Sequence, residues 1–159
     1  MPVQKLIELL DSHQIKYTIL THSVAYTAQG VAALTHTPGK ELAKTVIVDL
    51  DGALAMAVLP ASGTVNVSEL RAATGAKTVT LAKEPEFKDW FPDCETGAMP
   101  PFGNLYGMRV FVDDSLTYDK EIAFNAGSHR ELMRLAYEDF EKLVKPTVLR
   151  FASPRVRAA

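Results

Sequence analysis

Two apolar runs in the middle of the chain, Lys44–Leu50 and Ala53–Leu59, are separated only by Asp51-Gly52. A two-residue Asp-Gly link between strand-like runs signals a tight antiparallel hairpin, because the turn that joins them needs two residues tolerant of positive φ. Such a hairpin argues against a doubly wound parallel sheet. Around it, strand and helix patterns alternate irregularly. Val3, Leu6, Ile7 and Leu10 have helical spacing, and Thr27 is placed to cap a helix running to Leu34, with Pro38-Gly39 beyond its end. Asn66 or Ser68 caps a helix over Glu69–Thr74 that stops at Gly75. A short helix is expected over Glu84–Trp90 and a last one over Tyr137–Leu143. Further strands are expected at Tyr17–Leu20, Lys77–Leu81, Arg109–Val112, Glu121–Asn125 and Arg130–Leu135. The pattern predicts an α/β chain of the α+β kind, with a mixed, barrel-like β-sheet and surrounding helices. With no repeat or compositional break, one domain is expected over residues 1–152 and a frayed tail over 153–159.

Charge narrows the partners. A formal net charge of −2 excludes a strongly basic nucleic-acid binder, so RNA must be held by a few well-placed cations, and DNA is not an expected partner. Cys94 is the single cysteine, which excludes an internal disulfide and fits a reducing compartment. The N-terminus lacks the apolar stretch of a signal peptide, and no window approaches the roughly 20 apolar residues that span a bilayer. A cytoplasmic location without a membrane partner is expected.

The sequence contains no phosphate-binding Gly-rich loop, dinucleotide fingerprint or nucleophile elbow. His13, His22, His36 and His129 are scattered without zinc spacing, so neither a metal nor another cofactor is expected. Cys94 lies between Asp93 and Glu95, whose charges should raise its pKa and blunt it as a nucleophile. Three features hold more promise, and each reads two ways. Lys44 shares a strand face with Val46 and Val48 by period-two geometry; it either presents a poorly screened cation at the rim of an apolar cavity or snorkels to solvent. The stiff loop Gly97-Ala98-Met99-Pro100-Pro101-Phe102-Gly103 either offers exposed amides near Gly97 and Ala98 to an oxyanion or is a turn with Phe102 anchored in the core. Asn125-Ala126-Gly127-Ser128 is either a ligand-contacting strand end or a plain turn. His22 either touches substrate or is a satisfied, partly buried histidine. Asp113 and Asp114 are adjacent strand residues pointing to opposite faces, which argues against joint acid–base work.

Ala43-Lys44-Thr45-Val46, Gly97-Ala98-Met99-Pro100-Pro101-Phe102 and Ile122-Ala123-Phe124-Asn125-Ala126-Gly127 follow one another in an order that resembles the YbaK/ProX family. Its members are free-standing relatives of the editing domain in bacterial prolyl-tRNA synthetases. The resemblance runs from the first helix to about Val144, and includes Val58-Leu59-Pro60 and the Leu70–Ala76 helix exit. It implies the YbaK/prolyl-tRNA synthetase-associated fold. It also implies trans-editing hydrolysis of mischarged aminoacyl-tRNA bearing a small residue (alanine, serine, threonine or cysteine), on tRNA for proline or another mischarged tRNA. By this resemblance Lys44 is the key functional side chain, the loop Gly97–Pro101 holds the ester and terminal adenosine, and Asn125–Gly127 lies near the pocket. Lys44 and Gly97 are then the candidate catalytic positions. His22, Val46, Ala98, Met99, Pro100, Pro101, Phe102, Asn125, Gly127 and Ser128 are the candidate substrate-binding ones. The implied partner is the acceptor end of aminoacyl-tRNA, with a synthetase as a further candidate. A non-catalytic binding module and a hydrolase of another small acyl ester remain open.

Overall fold

The computed structural model describes residues 2–154, with the side chains of Ala28 and Gln29 excepted. Helix α1 covers Gln4–Ser12, strand β1 Tyr17–Thr21 and helix α2 Ala28–Thr35. Thr27 caps α2, its side chain accepting from Gly30 N, which satisfies one of the N–H groups a helix start leaves unbonded. Strands β2 (Ala43–Leu50) and β3 (Ala53–Pro60) form the expected hairpin. Its turn residues have φ of +52° at Asp51 and +92° at Gly52, the left-handed pair that the Asp-Gly link predicts. Strand β4 (Thr64–Val65) leads into helix α3 (Val67–Thr74), capped by Asn66 and ended by Gly75 in the left-handed region. Then come β5 (Val79–Leu81), a short helix α4 (Glu84–Phe87) that tightens into a 3₁₀ turn over Lys88–Trp90, and the long loop. Strands β6 (Arg109–Asp113), β7 (Glu121–Asn125) and β8 (Glu131–Ala136), helix α5 (Tyr137–Val144), and strands β9 (Thr147–Leu149) and β10 (Ala152–Ser153) complete the order.

The strands form a five-stranded sheet β5-β2-β3-β6-β9, a three-stranded sheet β1-β8-β7 and the pair β10-β4. The large sheet is mixed: β2 pairs antiparallel with both β3 and β5, whereas β3–β6 and β6–β9 are parallel. The sheet is mixed as expected, but the described residues form no closed barrel. An isolated parallel bridge, Leu42 to Ala123, joins the two larger sheets.

Period-two alternation sorts the five-stranded sheet cleanly. Ala43, Ile47, Met56, Val58, Val110 and Val112 enter a core shared with α1, α5 and the loop residues Met99 and Phe102. Val48, Leu50, Ala55, Ala57, Leu59 and Phe111 turn to the other face, where Leu70 of α3, Phe151 and Ala152 cover them. A third, smaller cluster joins Val31 of α2 to Leu42, Ala61, Ala123 and Leu132. The C-terminal segment is fastened by Asp113, which is fully buried; its Oδ1 accepts from Phe151 N and Ala152 N, both at 2.9 Å. Its Oδ2 accepts from the backbone N and the hydroxyl of Ser115. Asp114 instead accepts from Arg150 Nε at 2.7 Å, so the two adjacent carboxylates do separate work. Of the expected tail, Ser153 pairs with Thr64, and residues 155–159 lie outside the described residues. Among the described residues no helix is long and apolar enough to cross a membrane.

Candidate functional site

The candidate site forms where three distant segments meet at the end of the three-stranded sheet. Residues 95–98 make a turn closed by Ala98 N donating to Glu95 O at 3.0 Å. Gly97, its third residue, has φ +87°, a value that glycine adopts freely and other residues resist. Backbone bonds stitch this turn to the β7–β8 connection: Gly127 N donates to Ala98 O at 2.9 Å, and Glu95 N donates to Gly127 O at 2.8 Å. The third segment follows β1, with His22 N donating to Arg130 O at 2.8 Å and Ala25 N donating to His129 O at 3.3 Å. Val3 braces the seam from behind, its N–H donating to Ala126 O at 3.0 Å.

The expected oxyanion donors need correction. The amide of Ala98 is not exposed for a ligand, because it closes the turn onto Glu95 O. Gly97 N–H points at Met99 Sδ, 3.3 Å away. A thioether is a weak acceptor that a carbonyl oxygen outcompetes, so of the two amides only that of Gly97 is available to a ligand. Ala98, Met99, Pro100 and Pro101 are all buried. Phe102 is fully buried, with the rings of Phe124 and Phe140 each 5.5 Å from its own; it anchors the loop to the core.

Lys44 is half-buried in β2, opposite Leu59, and burial lowers its pKa from the ordinary 10.5 by disfavouring the ammonium. Its ammonium has no ion-pair or hydrogen-bond partner among the described residues. The Leu42–Ala123 bridge brings the start of β2 beside β7, and by period-two geometry Lys44 lies on the same face as Leu42, which packs in the cluster with Val31 of α2. Val46 shares that face but packs toward Val48 and Leu59, whereas Met99 packs on the opposite face with Ala43 and Ile47. Val46 and Met99 therefore do not meet in one cluster. Ser128 is buried and donates to Glu131 Oε1 at 3.1 Å, which fixes the turn beside Gly127.

Two histidines flank the seam. His22 Nδ1 donates to Ser23 O at 2.7 Å, leaving Nε2 buried without a partner. His129, which carried no signal beyond its place after Ser128, is only 6% exposed. Its Nε2 donates to Thr96 O at 2.8 Å and its backbone N donates to Glu95 Oε2 at 3.3 Å. Because a carbonyl can only accept, Nε2 bears the hydrogen and Nδ1 of the neutral ring is an acceptor, buried and unpartnered. Its ring edge lies 3.5 Å from where a Gly97 Cβ would stand. The side-chain oxygen of Asn125 is likewise buried and unpartnered. Unpartnered buried polar atoms are costly, and besides these three they occur at Thr45, Asp119 and Tyr137. No group of three His, Cys, Asp or Glu side chains among the described residues is arranged to hold a metal. Cys94 lies to the side: burial first, then Asp93, pushes its thiol up to about 11, against a lowering bond from Tyr106.

The family described as the aminoacyl-tRNA editing domain matches residues 22–143, a span holding Lys44, Gly97 and the Asn125–His129 turn. The chain belongs to that family. It is thereby an aminoacyl-tRNA deacylase, a hydrolase acting on tRNA-linked esters. The multifunctional Ser/Thr-tRNA deacylase ProXp-y of Escherichia coli (strain K12) is 27% identical over 154 residues, covering 93% of this chain and 91% of that protein. Among solved structures, a hypothetical protein superposes with a TM-score of 0.84 at 20% identity, over 94% of this chain and all of that one. A candidate trans-editing enzyme for prolyl-tRNA synthetase gives 0.78 at 16% identity, over 94% and 95%. These two likenesses show the shared mixed α/β fold.

Proposed function

We propose that this editing enzyme works in trans, in the cytoplasm, on mischarged tRNA whose amino acid is small: serine or threonine, with alanine and cysteine as further candidates. The similarity to a Ser/Thr-tRNA deacylase supports the hydroxylated residues. The observation that supports the reading is the backbone seam joining the Gly97 loop to the Gly127 turn, which with Lys44 lies inside the segment matched by the editing-domain family.

An aminoacyl ester is already activated, so its hydrolysis asks for positioning and charge stabilisation more than for a strong protein nucleophile. In the proposed chemistry the Lys44 ammonium, weakly screened by solvent, orients the ester or the adjoining phosphate. Gly97 N–H exchanges Met99 Sδ for the ester carbonyl oxygen and stabilises the developing oxyanion. Water adds to the carbonyl carbon, and collapse of the tetrahedral intermediate breaks the bond to the ribose oxygen. One water proton passes to that oxygen to make the hydroxyl, and the other goes to solvent as the amino acid leaves as its carboxylate. The unpartnered acceptors His129 Nδ1 and Asn125 Oδ1 suit the α-ammonium or side-chain hydroxyl of the amino acid. Steric exclusion alone separates side chains differing by one methylene by about 1–3 kcal/mol, whereas pairing a buried acceptor with a hydroxyl discriminates more strongly. Only the acceptor end need be gripped by so weakly charged a chain, and a synthetase holding the rest of the tRNA is a suitable partner.

The test is a panel of aminoacyl-tRNAs and simple aminoacyl esters, assayed with wild type and Lys44→Ala. Turnover of a mischarged tRNA that falls at least a hundredfold in Lys44→Ala supports the proposal. Turnover of simple esters alone makes the chain a different acyl-ester hydrolase, and binding without turnover makes it a recognition module. Near-normal deacylation by a well-folded Lys44→Ala removes the lysine from the mechanism.

A further inference from the structure

Tyr26 is 76% exposed, yet its ring is held in place. One side lies against the buried His129 ring, with centroids 4.8 Å apart and planes tilted by 57°. Its backbone neighbours are fixed as well: Ala25 N donates to His129 O, and Thr27 caps α2. Trp90 and Tyr118, the other large exposed aromatics, lie in 3₁₀ turns that contribute nothing to the site. Tyr26 alone of the three adjoins a side chain of the seam, because His129 bonds Thr96 O and backs Gly97.

A fixed aromatic ring with an open surface is how proteins hold unpaired nucleobases, since every base has a π-face and stacking needs no great positive charge. That requirement matches a chain of net charge −2, which cannot grip RNA by electrostatics alone. The ester to be hydrolysed and the last base of the tRNA belong to the same nucleoside, so a receptor for the base must adjoin the ester site. Tyr26 meets this condition through its contact with His129. Arg130, the next residue along, is exposed, and its backbone is pinned by the bond from His22 N. Its side chain is a cation one residue beyond the histidine that backs Tyr26.

We propose that Tyr26 is the stacking platform for the unpaired 3′-terminal base of the tRNA, with Arg130 serving the adjoining phosphate. The proposal rests on the reading of the seam as the place of ester hydrolysis, and fixes where the rest of that nucleoside lies. It does not require any particular amino acid on the ester.

The probe is the trinucleotide C-C-2-aminopurine, whose fluorescence is quenched when the purine analogue stacks. Wild type, Tyr26→Phe and Tyr26→Trp should bind and quench it, whereas Tyr26→Ala should bind roughly 5- to 100-fold more weakly and lose the quench. In deacylation, Tyr26→Ala should raise KM for aminoacyl-tRNA while largely sparing kcat. Unchanged affinity and quench in Tyr26→Ala, or no quench by wild type, overturns the proposal. Loss in Tyr26→Phe as well as in Tyr26→Ala also counts against stacking, because phenylalanine keeps the aromatic face. If wild type quenches the probe but deacylates no aminoacyl-tRNA, the catalytic reading fails while the base platform stands.

Discussion

Replacing Gly127 by alanine tests whether the backbone seam between the Gly97 loop and the β7–β8 turn sets the site geometry. Gly127 has φ +108°, where a side chain is strained, and an alanine Cβ would stand 2.5 Å from Val3 Cγ2. The backbone term costs about 1–3 kcal/mol. The overlap adds a similar amount, about 1–3 kcal/mol, because Val3 cannot simply retreat: it is 2% exposed and its N–H is bonded to Ala126 O at 3.0 Å. Gly127→Ala should therefore lose about 2–5 kcal/mol in urea unfolding, taking the two terms as partly relieving one another. Val3→Ala removes the methyl groups that collide and costs about 1–2 kcal/mol by itself. The double variant should be less destabilised than the sum of the singles by about 1–3 kcal/mol, since the overlap vanishes and the φ strain stays. The same seam bonds Ala98 O and Glu95 N, so displacement should lower kcat/KM roughly 10- to 100-fold in Gly127→Ala, with partial recovery in the double variant. Two outcomes refute the reasoning: a Gly127→Ala stability within about 0.5 kcal/mol of wild type, or singles that add without coupling.

Three further outcomes follow from titration and burial. If the Lys44 ammonium acts on the ester, enzymatic turnover corrected for base hydrolysis should fall as pH rises through a pKa below the ordinary 10.5, because burial favours the neutral amine. In Lys44→Arg that falling limb should disappear from whatever activity remains, and an unchanged limb assigns the titration to another group. For Asp113, burial acts to raise the pKa, but the bonds from Phe151 N, Ser115 and Ala152 N prevail and hold the carboxyl below its ordinary range. A carboxyl depressed by folding contributes stability above its unfolded pKa that is lost as pH falls through the folded one. Melting temperature should therefore drop in wild type below about pH 4, less so in Asp113→Asn, while Asp113→Ala should cost about 3 kcal/mol or more at neutral pH by orphaning buried donors. Cys94, with its thiol pushed up to about 11, should react with iodoacetamide at pH 8 on the order of 100-fold more slowly in the native than in the urea-unfolded chain, and equal rates would show that its burial is not kept in solution.

What was legible in the sequence was chiefly local. The Asp51-Gly52 turn, the Thr27 cap and the Gly75 stop each depend on one or two residues whose own backbone preferences decide the outcome, and all occur as expected. Of the two candidate caps Asn66 and Ser68, the structure uses Asn66. The period-two face of Lys44, Val46 and Val48 also holds, since Val46 and Val48 pack on the second cluster and Ala43 and Ile47 on the first. The short strands β4, β9 and β10 had no local signal, because two or three residues show no period and their partners lie far along the chain, as with Thr64 and Ser153. Cys94 was read as blunted by its acidic neighbours; burial is the larger cause, and burial is a property of the packed loop.

The candidate site was harder to read for a related reason. Its parts come from residues 22–26, 95–98 and 125–130, and main-chain bonds such as Gly127 N to Ala98 O, Glu95 N to Gly127 O and His22 N to Arg130 O join them. Main-chain atoms are the same in every residue, so such a seam leaves traces in sequence only where geometry restricts side chains. Gly97, at φ +87°, and Gly127, with Val3 against its Cα, are those traces, and both were singled out. His129 leaves none, because neither its bond to Thr96 O nor its unpartnered Nδ1 has a periodicity or spacing. The same principle applies to Ala98: in sequence an amide between glycine and proline-rich residues looks free, and only the closed turn onto Glu95 O shows it engaged. A seam of this kind leaves Gly97 N–H opposed only by a thioether, a partner that a substrate can easily replace. On the proposed reading the oxyanion role therefore falls on a single donor, and Lys44 is left to orient the ester or the adjoining phosphate.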